Sequence, residues 1–116
     1  MAGVKHIGDV DVVTAQLDGS TVDNLKTVAD NFKENTECGV IVLGAHTDGK
    51  ITFVAMATKS ALAKGVHCGN IIKEITQIAG GRGGGKPDMA QGGGTDAAKI
   101  DDALAKVDEI ISSMVG

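Results

Sequence analysis

Aromatic residues are nearly missing: the 116-residue chain has two Phe, no Trp and no Tyr. Its core must therefore be aliphatic, and it lacks the aromatic platform on which single-strand binders stack bases. Cysteine is scarce too. Cys38 and Cys68 are two thiols in a domain large enough to fold without staples, and they read as buried and reduced rather than bridged. No run of about 18 uncharged apolar residues is present to span a membrane. The opening Met1-Ala2-Gly3-Val4-Lys5-His6 has no apolar core of a secretory signal. These absences point to the cytoplasm.

Catalytic constellations are missing as well. His6, His46 and His67 are scattered, and His67 beside Cys68 is not a usual zinc spacing. No Ser–His–Asp order or framed pair of acids stands out. Gly80-x-x-x-x-Gly85-Lys86 satisfies the first part of a phosphate-loop pattern, but Pro87 stands where Ser or Thr should hold Mg²⁺. The segment also follows a helical pattern instead of linking a strand to a helix. No catalytic residue and no metal ligand is expected, and the histidines are read as structural or surface groups.

What is present is a core. Hydrophobic residues make up 42% of the chain, enough for one domain over residues 1–116 and too little length for two. The net charge of −4 is unevenly spread. Residues 58–87 carry Lys59, Lys64, Lys73, Arg82 and Lys86 against Glu74 alone, whereas the segments on both sides are acidic. A basic middle third fits either a phosphate-binding footprint or a solvated helix face.

Periodicity gives the elements. Val10–Leu17 alternates as a strand, and Ser20 or Thr21 caps a helix carrying Val22, Leu25, Ala29 and Phe32 on one side. The apolar run Cys38–Ala45 suits a central strand covered on both faces. Thr47-Asp48-Gly49-Lys50 is a hairpin signal leading into Ile51–Ala57. A short helical turn over Ser60–Lys64 ends at Gly65, and Ile71–Ala79 is an amphipathic helix. Ile100, Leu104, Val107, Ile111 and Met114 form a stripe on a last helix capped by Thr95 or Asp96. At about two heptads the stripe is better suited to packing on a sheet than to a coiled coil. The expected fold class is α/β (α+β): a mixed β-sheet with helices packed on it, in the order β-α-β-β-α-(β)-α, the bracketed strand at Asp88–Gln91.

The informative segment is GGRGGGKPDMAQGGG, residues 80–94, with eight glycines. It is too long for a plain helix–helix turn, and Lys86-Pro87-Asp88-Met89-Ala90-Gln91 is not linker composition. Glycine at this density suits a loop that brings backbone N–H groups close to phosphate or ribose. It equally suits tight turns around a short buried strand, and the two readings are compatible.

Lys59-Ser60, Gly65-Val66-His67-Cys68-Gly69, Ile71-Ile72-Lys73-Glu74-Ile75 and above all residues 80–94 resemble the C-terminal, DHHA1-type domain of bacterial alanyl-tRNA synthetases. DHH phosphoesterases carry a similar domain but usually place His directly after the glycines, where this chain has Lys86. Free-standing alanyl-tRNA editing proteins carry one too. The resemblance implies a fragment of a larger ligase that uses ATP with Mg²⁺, and zinc in an editing domain, with no cofactor in this part. A helical segment would precede it, cut away near Met1. The implied role is to hold the corner of alanine-accepting tRNA so that aminoacylation and editing sites act on one bound tRNA.

Folded double-stranded RNA is recognised by shape, phosphate and 2′-OH contacts, so the lack of aromatics does not oppose that role. The expected RNA-binding residues are Arg82 and Lys86, supported by Lys73 and Lys64, with Gly83, Gly84 and Gly85 allowing close backbone approach. Expected partners are tRNA, the rest of the synthetase chain and a second copy of the domain, but no membrane. Two other functions stay open: an oligomerisation module exposing the Ile100–Met114 stripe, and the substrate-gripping domain of a phosphoesterase or editing protein.

Overall fold

A two-residue turn, with Gly8 at φ 61°, folds the short strand β1 (Lys5–Ile7) back onto β2 (Val10–Gln16). The computed structural model describes residues 5–47 and 49–115. After β2, Thr21 caps helix α1 (Val22–Asn35), its hydroxyl accepting from the Asn24 amide at 3.2 Å. The apolar run becomes β3 (Gly39–Thr47), which turns directly into β4 (Lys50–Ala57), with Thr47 opposite Lys50. Of the expected Asp-Gly turn, Asp48 lies outside the described residues. Thr58 then caps the single-turn helix α2 (Lys59–Ala63), and His67 caps α3 (Cys68–Ile78). Strands β5 (Arg82–Gly85) and β6 (Met89–Gly94) follow, then a 3₁₀ turn at Ala97–Lys99 and the final helix α4 (Ile100–Val115).

Among the described residues, six strands form one sheet in the order β1-β2-β3-β4-β6-β5. Only β2 and β3 run parallel, because α1 carries the chain between them; the other neighbours are antiparallel. The mixed sheet with packed helices is the expected fold class. Two strands were not foreseen. The first is β1, three residues long. The second is β5: the segment expected as a Gly-rich loop over residues 80–94 is an antiparallel hairpin whose second strand extends the one expected at Asp88–Gln91 as far as Gly94.

The sheet separates two aliphatic clusters. On one face α3 and α4 bury Val10, Val12, Val40, Val42, Ile51 and Phe53 beneath Ile71, Ile72, Ile75 and Ile111. The Phe53 ring passes over Gly44, where a Cβ would stand 3.1 Å from it. On the other face Leu25 and Ala29 of α1 cover Ile41, Leu43 and Val54. The stripe of the last helix is part of the first cluster: Ile100, Leu104, Val107 and Ile111 are buried and Met114 is half-buried. An oligomerisation module built on that stripe would need it exposed, so that version of the reading is overturned. Neither cysteine is bridged; Cys68 is buried and Cys38 half-buried.

Candidate functional site

The glycines of β5 and β6 divide by the pleat of the strands. Gly83, Gly92 and Gly94 point towards α3. A Cβ on Gly83 would stand 2.6 Å from Ile72 Cγ2, one on Gly92 2.8 Å from Thr76 Cγ2, and one on Gly94 2.6 Å from the Ala79 carbonyl. These glycines let α3 lie directly on the hairpin. The room Gly83 leaves on this side is thus filled by the protein itself, not held open for a ligand. Arg82, Gly84, Gln91 and Gly93 point to the opposite face, where α1 covers β3 and β4 and its cover ends. A Cβ at Gly84 would meet nothing within 4 Å; there the φ of 156° calls for glycine.

That uncovered face forms a shallow groove of about 630 Å³ lined by Val22, Thr52, Arg82, Gly83, Gln91 and Gly92, with no acidic residue. A second groove of about 230 Å³ follows the outer edge of β5 and is lined by Lys73, Thr76, Gln77, Gly81, Arg82 and Gly83. Arg82 borders both, and β5 is the last strand, so one side of its backbone is unpaired.

The expected basic residues are therefore brought together only in part. Lys73 and Arg82 share the edge groove. Lys86 is exposed at the other end of β5, about 13 Å along an extended strand. Lys64 lies elsewhere: it pairs with Asp9 at 3.3 Å in a groove that also includes Asp11 and Glu37. Gln91 and Thr52, which line the open groove, escaped sequence reasoning. The Gln91 position was visible within the Ala-Gln-Gly-Gly run, but no local signal pairs it with a residue 39 positions earlier.

The start of α3 does not offer an anion site. The Cys68 and Gly69 amides donate to the Pro87 and Lys86 carbonyls at 2.8 and 3.2 Å, and the Asn70 amide donates to His67 Nδ1 at 3.1 Å. These contacts satisfy the free donors of a helix N-terminus and anchor the β5–β6 turn to α3. Cys68 sits in this anchor, and burial pushes its thiol up to about 12, with the nearby Asp88 carboxylate adding to the effect. It is a packing thiol and not a nucleophile. Among the described residues, no three His, Cys, Asp or Glu side chains gather as metal ligands, and no helix is long and apolar enough to cross a membrane.

Residues 9–113 match the DHHA1 domain family. An alanine–tRNA ligase from Shouchella clausii is 50% identical over 111 residues, covering 96% of this chain and 13% of the ligase. The chain thus spans about an eighth of the length of that relative. Its fold is similar to the crystal structure of the C-Ala domain from Aquifex aeolicus alanyl-tRNA synthetase. There the TM-score is 0.87 at 27% identity, covering 96% of this chain and 99% of that one. A pGpG-specific phosphodiesterase from Vibrio cholerae shares the fold alone, with a TM-score of 0.56 at 11% identity over 96% of this chain and 36% of that one.

Proposed function

The chain belongs to the DHHA1 domain family, and on that premise we propose that it is the tRNA-gripping accessory domain of an alanine–tRNA ligase. In this reading it acts in the cytoplasm as one part of a longer synthetase chain and carries no chemistry or cofactor of its own. It holds the corner of the tRNA while catalytic and editing sites elsewhere in the ligase act on the acceptor end.

The observation that carries this reading is the convergence of Lys73 and Arg82 on the free edge of β5, beside a groove without acids. Lys86 extends the positive charge along the same strand. Phosphate neutralisation by Lys and Arg supplies affinity without sequence selectivity and weakens with salt. Folded RNA can be gripped this way with no stacking aromatic. The identity to ligases over nearly the whole chain makes tRNA the RNA of choice. Lys86 at the position where the phosphoesterase pattern has His favours the ligase over a phosphoesterase.

The test is a titration of the chain against alanine-accepting tRNA at several salt concentrations, with a tRNA lacking its corner loops as control. Saturable binding that needs the corner and weakens with salt is expected. Absence of binding at low salt would sink the RNA-gripping role.

A further inference from the structure

We propose that the open face of the β5–β6 hairpin reads the ribose 2′-hydroxyl through Thr52 and Gln91, so that the domain distinguishes RNA from DNA. This rests on the RNA-gripping reading above and names the chemistry that the same surface selects.

Three features place a sugar–phosphate strand on this face. First, Thr52, Gly93 and Arg82 lie in one row across three adjacent strands, with Gln91 one row along. The row spans about 10 Å and the rows stand about 7 Å apart. Second, Gly84 and Gly93 project no side chain on this face, so a ligand backbone can lie against the sheet. Third, the groove holds one guanidinium and no carboxylate, which suits a phosphate at the Arg82 end.

The other two polar side chains of the groove, Thr52 on β4 and Gln91 on the middle strand, are neutral and two-sided. A threonine hydroxyl and a glutamine amide each offer both a donor and an acceptor. Side-chain hydrogen bonds nearby are made by His67, Thr76 and Thr95; among the described residues Thr52 and Gln91 make none. They are free to engage a ligand. A 2′-hydroxyl is likewise donor and acceptor, and it is the group by which a protein tells RNA from DNA. A deoxyribose offers neither partner, so the same groove would keep only its phosphate contact on DNA. With no aromatic in the groove, bases contribute little to the choice.

The experiment compares an RNA stem-loop with the DNA stem-loop of the same sequence, titrated against the chain and its variants at fixed salt. The wild type should prefer RNA. Thr52→Val and Gln91→Ala should each lower RNA affinity about fivefold, leave DNA affinity and the salt slope unchanged, and so erase the preference together. Thr52→Ser, which keeps the hydroxyl, should retain it, and Arg82→Ala should weaken both nucleic acids alike. Salt-dependent RNA binding that survives the double substitution with its preference intact overturns this inference alone. Equal losses on RNA and DNA also overturn it. A wild type that binds no RNA takes down both this inference and the RNA-gripping role.

Discussion

The two faces of the β5–β6 hairpin use glycine for opposite ends. Towards α3, Gly83, Gly92 and Gly94 are crowded by Ile72, Thr76 and Ala79, and their missing side chains let a helix seat on the sheet. On the other face, Gly84 and Gly93 are interleaved with Arg82 and Gln91, and among the described residues no helix packs on them. A run of glycine that reads as one feature along the chain is two features across the sheet: half of it is core, and half is surface. The crowded half holds the hairpin rigid against α3, which makes the open half usable as a fixed platform.

The largest effect should come from the crowded side. Ile72→Ala empties a fully buried position under the hairpin and should cost about 2–5 kcal/mol in denaturant unfolding. Gln91→Ala, on the open face of the same hairpin, should stay within about 0.5 kcal/mol. Similar costs for the two would break the comparison. Next, Gly92→Ala forces a Cβ to within 2.7 Å of Gly83 Cα, and should destabilise the domain by about 1–3 kcal/mol while leaving the fold assignable by circular dichroism.

The anchor between α3 and the hairpin gives a smaller, pH-dependent effect. The Cys68 thiol is raised from 9.0 to about 12, so the folded state holds its proton more tightly than the unfolded chain does. Its stabilising contribution is complete below pH 9 and is lost as pH rises from 9 towards 12, at about 1.4 kcal/mol per pH unit. Urea unfolding at pH 8 and 10 should show this loss in the wild type and less of it in Cys68→Ala. Equal alkaline losses in both would remove the thiol from the account. The smallest change in stability belongs to the surface: Arg82→Ala should barely move the melting temperature, yet flatten the salt slope of RNA binding by about one unit. Lys64→Ala should leave it unchanged, because the fold sends that ammonium to Asp9, away from the hairpin.

Much of the fold was legible because its elements announce themselves locally. The alternation in Val10–Gln16, the apolar run of β3 and the helical spacing of Ile71, Ile72 and Ile75 are all short-range signals. Strand β5 was not legible. Arg-Gly-Gly-Gly has almost no strand propensity of its own, and it is a strand because it pairs with β6, which is itself paired with β4. The site was half legible for the same reason. Charge along the chain pointed to Arg82 and Lys73, which line one groove, but it also gathered in Lys64, which the fold sends to Asp9. Thr52 and Gln91 belong together only across the sheet, a proximity no sequence window contains.

If RNA is gripped as proposed, it meets the open face and free edge of β5 and no other surface. Amide chemical-shift mapping of the labelled chain during titration with alanine-accepting tRNA tests it directly. Perturbed amides are expected to cluster at Thr52, Arg82–Gly84 and Gln91–Gly93, with Lys73 at the margin and the Asp9–Lys64 groove silent. A cluster centred on α4 and β1, with the hairpin unchanged, would contradict it.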